Sequence, residues 1–223
     1  MAKKRLIRKR PKKGEADEGS RAKGLQRTLS VAIQSLEVTR AEDGLFRGTP
    51  EPVLVVGLFE TLSQQRGVRL LDRKLFHFNV DGAIPGTYRC EEAKLTGRAR
   101  EDSMVSLVVI ALEEDDRTGV TDLYGLLEQP DVISFWFPKN DVPEVERLSS
   151  LVPPPTDDRT VLSPARVLLD ARDAHDLGKG DDFVGAAIGR WSASPRRTLS
   201  IRAPFSSADK RQEWSAVLEL SIR

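Results

Sequence analysis

Cysteine is almost missing from this chain: Cys90 is the only one in 223 residues. A lone thiol excludes an intramolecular disulfide and fits a reducing compartment. Histidine is nearly as scarce, with His77 and His175 alone, so zinc sites of the finger type are excluded. No run approaches the roughly eighteen apolar residues of a membrane-spanning helix. The basic N-terminus is not followed by the apolar stretch of a secretory signal. No GxGxxG follows a strand, and HExxH, GxSxG and GxxxxGK before Ser or Thr do not occur. Strand and helix patterns do not alternate, which excludes a doubly wound nucleotide-binding fold. These absences point to a cytoplasmic protein that is not an enzyme.

What is present divides into two parts of opposite charge. The chain is 39% hydrophobic and 31% charged, with a formal net charge of +1. Residues 1–27 hold eleven Lys/Arg and three Asp/Glu, a local charge of +8, while residues 28–223 hold 24 basic and 31 acidic groups, or −7. A basic arm is joined to an acidic body. The arm has too little apolar content to offset the cost of ordering and is expected to be disordered alone.

The body reads as strands. "TLSVAIQSLEV" (28–38) puts Leu29, Val31 and Ile33 on one face and shifts phase before Leu36 and Val38. "PVLVVGLFE" (52–60) is a short apolar run, "VRLLDRKLFHFNV" (68–80) alternates, and "SMVSLVVIALEE" (103–114) is the longest β-branched stretch. Such lengths and flanks predict strands. "RTGVTDLYGLLEQ" (117–129) instead spaces Val120, Leu123, Tyr124 and Leu127 as a short helix. "EEDD" at 113–116 reads as acids capping that helix. "DVISFWF" (131–137) predicts another strand, and the polar, proline-rich 139–160 a long loop. "ARVLLDA", "DFVGAAIGRW", "RTLSIRAPF" and "EWSAVLELSIR" complete eight or nine strands. The fold class is an all-β antiparallel sandwich over 28–223, with a helix and loop insertion at 117–160.

Five aspartates fall within "DARDAHDLGKGDDFVGAAIGRW" (170–191), between two of these strands. Taken alone, Asp170, Asp173, Asp176, Asp181 and Asp182 suit a solvated turn whose carboxylates cap local backbone groups. The segment also resembles the third calcium-binding loop of C2 domains. In that family an Asp-x-Asp pair, a Lys/Gly-rich turn and an Asp-led apolar strand follow one another. Here Asp173, "LGKG" and "DDFVG" stand in that order, and "GTPEPVLVVGLFE" (48–60) is similar to the family's loop one, with Glu51 for aspartate. The resemblance implies a divergent, bacterial-type C2-like sandwich of eight or nine strands. Its candidate calcium ligands would be Glu51, Asp173, Asp176, Asp181 and Asp182, since calcium takes about six to eight oxygens from converging loops. His175 stands where the family has a second aspartate, and Leu45 near the first position of loop one. The implied calcium site is therefore degenerate.

The arm carries the strongest binding signal. Lys3, Lys4, Arg5, Arg8, Lys9, Arg10, Lys12 and Lys13 follow one another without an acid. Near an anionic bilayer each such charge is worth about 1 kcal/mol. Against nucleic acid the same cluster would release counterions and give steep salt dependence. Three targets fit: an anionic membrane, nucleic acid or another acidic polymer, and a protein partner or the acidic body itself. The expected function is a C2-like adaptor, cytoplasmic and peripherally membrane-bound, whose sandwich offers a protein-binding face. The alternative is an assembly protein of a larger particle, its arm contacting nucleic acid or a neighbouring subunit.

Overall fold

The computed structural model describes residues 25–41, 51–61, 68–80, 84–90, 94–113, 117–129, 133–137, 144–147, 161–169, 182–207 and 210–223. Within them lie twelve strands and one helix: β1 (Gln26–Ala41), β2 (Pro52–Thr61), β3 (Val68–His77), β4 (Gly86–Tyr88), β5 (Leu95–Arg100), β6 (Met104–Glu113), α1 (Arg117–Leu126), β7 (Ile133–Phe137), β8 (Glu144–Arg147), β9 (Ser163–Leu169), β10 (Asp182–Ser192), β11 (Arg197–Ser206) and β12 (Gln212–Ile222). All but β4, β7 and β8 run six residues or more. They form two antiparallel sheets. One is five-stranded, in the order β11–β12–β1–β4 with β5 also on β1; the other is seven-stranded, β3–β2–β6–β10–β9–β7–β8. The all-β sandwich expected from the sequence is the observed architecture.

The phase shift in β1 has a structural cause. Its ladder with β12 changes register between Ile33 and Ser35 and again between Val38 and Arg40. An extra residue in one strand moves the following side chains to the other face. That is how Leu29, Val31 and Ile33, then Leu36 and Val38, all reach the same core. Facing them across the sandwich are Leu54, Val56 and Leu58 of β2, Leu107 and Val109 of β6, and Trp191 of β10. Trp214 enters this core from β12 beside Phe205 of β11, its register partner.

The seven-stranded sheet is buried on its second face as well. Val53, Val55 and Phe59 of β2, Val108 and Ile110 of β6, and Ile188 of β10 form a separate cluster with Val120, Leu123 and Leu127 of the helical segment and Ile133 and Phe135 of β7. This double burial explains why β2 and β6 read as continuous apolar runs rather than alternating ones. Within the helix and loop insertion read at 117–160, α1 and β7 thus supply side chains to this second core. Gly57 permits the approach, since a Cβ there would meet Phe59 and Leu127. Arg73 of β3 pins the helix: it lies 4.0 Å over the Tyr124 ring, donates to the Tyr124 carbonyl and pairs with Glu128.

Other differences are local. The first strand begins at Gln26 rather than Thr28, so Gln26 and Arg27 belong to the body. The segment 139–160 contains the short strand β8, paired with β7. Glu113, read as part of the cap of α1, ends β6, is 3% exposed, and faces the other sheet. The rest of "EEDD" lies outside the described residues.

Strand β5 has one edge on β1, and its other edge is closed by side chains instead of a strand. Asp72 Oδ2 accepts the Thr96 N–H at 2.8 Å, Arg69 Nη2 donates to the Arg98 carbonyl at 3.2 Å, and Glu60 Oε1 accepts the Arg100 N–H at 2.6 Å. Thr96, Arg98 and Arg100 are alternate residues, and alternate residues aim their backbone polar groups to the same side. Carboxylates of β2 and β3 thus satisfy an edge that would otherwise template pairing with another chain.

Candidate functional site

The antiparallel register sorts the connections into two ends of the sandwich. Pro52 of β2 is opposite Glu113 of β6, which is opposite Asp182 of β10. In the other sheet, Ala41 of β1 is opposite Gln212 of β12. The connections 42–51, 114–116, 170–181 and 207–211 therefore all leave from one end. Glu51 and Asp182, at the roots of two of these connections, are at that end.

At this end Glu51 is exposed immediately before β2, and Asp182 opens β10. Two strand spacings separate Pro52 from Asp182, about 10 Å. Asp173, Asp176 and Asp181 lie outside the described residues, as does the side chain of Asp182. Glu113 sits between the two loop roots, where sequence reasoning did not place it. Gln212 Nε2 donates to its Oε2 at 2.8 Å, and both side chains are buried. Gln212 is held in turn by the β11–β12 turn: its N–H donates to Ser207 Oγ, and its carbonyl accepts the Ser207 N–H, each at 3.0 Å. The pair ties the two sheets together where the acidic loops begin. Among the described residues no three His, Cys, Asp or Glu side chains come together as a metal site. Those residues alone do not fit calcium, which needs several more oxygens than Glu51 supplies.

The opposite end is the root of the arm. Lys3, Lys4, Arg5, Arg8, Lys9, Arg10, Lys12 and Lys13 lie outside the described residues, but the chain they belong to enters the body at Leu25. Leu25 is 73% exposed, and its carbonyl accepts the Glu101 N–H at 2.9 Å. Beside it, Arg27 pairs with Glu101, whose Oε1 also accepts Ser194 Oγ–H at 3.5 Å. Arg100 pairs with Asp102 at 2.7 Å. Burial lowers the pKa of the Arg190 guanidinium from its ordinary value, although an arginine stays charged at neutral pH.

A second set of arginines at this end was not legible in the sequence. Arg98 of β5 is opposite Thr28 of β1, and Thr28 exchanges two backbone hydrogen bonds of 2.9 Å with Arg223. Arg196 precedes Arg197, which is opposite Ile222, so Arg196 comes level with Arg223. Residues opposite one another in a sheet share a face. Thr28, Arg98, Arg196 and Arg223 are all exposed. Among the described residues none of these three arginines has an ion-pair partner.

Among the described residues no helix is long and apolar enough to cross a membrane. Comparison of the chain with protein-family models, with curated proteins and with solved structures gives no match in any of the three.

Proposed function

We propose that this protein is a non-enzymatic, C2-like adaptor that binds an anionic membrane surface through its basic arm and a protein partner through its sandwich. The observation that carries the reading is the basic run: eight Lys/Arg among residues 3–13, with no acid among them. At about 1 kcal/mol for each charge near an anionic leaflet, half of the run acting together gives about 4 kcal/mol. Leu6 and Ile7 add an apolar foothold within the run. A body carrying −7 would be repelled by the same surface without such an arm. On this reading the loop end is a degenerate calcium site, and the adaptor works in the cytoplasm at the membrane periphery.

The test is sedimentation with phosphatidylserine-containing liposomes across salt, using the full chain and a chain lacking residues 1–24. The deletion stops before Leu25 because the Leu25 carbonyl holds the Glu101 amide. Binding that falls with salt and vanishes with the arm supports the reading. Retention on duplex DNA without sedimentation would replace the membrane by nucleic acid.

A further inference from the structure

We infer that the sandwich meets the anionic surface with the end from which the arm leaves, through Arg98, Arg196 and Arg223, while the acidic loop end points away. The inference rests on the reading of the arm as a membrane binder and adds the orientation of the body and the residues that set it.

Two independent observations carry it. The first is the arginine row on the outer face of the five-stranded sheet. Three strand spacings separate Arg98 from Arg196, so the row spans about 15 Å. Its guanidinium groups are exposed and lack ion-pair partners among the described residues. Guanidinium is planar and weakly hydrated, and it binds phosphate in a bidentate manner. On the loop side of the row the next positions on the same face are uncharged, Thr96, Ser30, Ser221 and Thr198; on the root side stand Gln26 and Arg100, the latter paired with Asp102. Leu25 adds exposed apolar surface at the root of the arm. A row of guanidinium groups with an exposed leucine at the same end of the body suits the boundary between headgroups and acyl chains better than it suits a purely polar polyanion.

The second observation is reach. Lys13 is twelve residues before Leu25, and a chain of that length spans at most about 43 Å fully extended. Strand β1 runs 16 residues from the root to the loop end, or about 50 Å at strand rise. With the whole basic run on the surface, the arm is too short for the body to stand on its loop end. The root end is held close, and the arginine row then binds as the second site of a tethered pair, at high effective concentration.

The experiment uses the full chain and vesicles of phosphatidylcholine with phosphatidylserine. Arg98→Glu with Arg196→Glu reverses the row; Lys210→Glu with Arg211→Glu makes the same charge change at the loop end. Thermal melts establish that each variant is folded. The expected result is at least tenfold weaker binding for the first pair and less than twofold for the second. A second readout does not depend on those variants. In a Cys90→Ser background, a fluorophore at Thr28→Cys should transfer energy to labelled headgroups more efficiently than one at Glu51→Cys. Equal losses from both charge reversals, or greater transfer from position 51, would overturn the orientation and leave the arm reading intact. No binding of the unmodified chain to these vesicles would overturn the arm reading itself, and the orientation with it.

Discussion

Arg69→Ala should destabilise the fold far more than an exposed side chain ordinarily does. Arg69 is 62% exposed, whereas the Glu60 side chain it pairs with is 1% exposed. Substitutions at such exposed positions usually fall within about 0.5 kcal/mol. Here the change strips a buried carboxylate of the Nε donor at 3.0 Å and of the Nη2 donor, leaving it the Arg100 amide at 2.6 Å. Breaking a fully buried pair costs about 3–5 kcal/mol. Water entering the space vacated by Arg69 offsets part of this, so the expected loss is about 2 kcal/mol. Glu60→Gln removes the buried charge, keeps an acceptor for Arg100, and should cost about 1 kcal/mol. The double substitution should then cost less than the sum, because the second change removes the charge that the first stranded. Urea unfolding of the four proteins, with the denaturant slope unchanged, measures the cycle. A loss below 0.5 kcal/mol for Arg69→Ala would show that the carboxylate is already hydrated and that side-chain closure of the β5 edge is wrong.

Three further outcomes follow from the packing and the loops. Leu123→Ala should cost about 2–5 kcal/mol, since Leu123 is 1% exposed within the second core; a loss under 1 kcal/mol by urea unfolding would mean that α1 is not part of the cooperative fold. Gly189→Ala should lower stability by about 1–3 kcal/mol, because its Cβ would strike Leu162 and Trp191, and an unchanged melting temperature would count against that packing. A calorimetric titration with calcium should show little or no heat up to millimolar concentrations. Heat that is lost in Asp173→Asn with Asp182→Asn would instead establish a working loop-end site.

Much of the fold was written in local patterns. The bulge in β1 is visible as a change of phase, and the stripe of Val120, Leu123 and Leu127 marks α1. Strand β5 was not visible, and Gly97 is the reason. It stands at the inward position between Leu95 and Ala99, where a Cβ would meet Leu71 and Leu58. The period-two signal loses its middle member. Glu113 misled for a different reason: a carboxylate before a helix looks like a cap, and only the partner from the other sheet, Gln212, makes it a buried strand residue.

The sequence by itself determined the antiparallel sandwich class, the arm and the charge division between arm and body, because these depend on residue spacing and composition alone. Which long runs would be covered twice was decided by the tertiary structure, when α1 packed on the second face of the seven-stranded sheet. The same holds for the arginine row. Arg98, Arg196 and Arg223 are far apart in the chain, and only the pairing of β1 with β5 and β12, and of β12 with β11, sets them side by side. Strand register is a long-range property, fixed by which faces can be buried together.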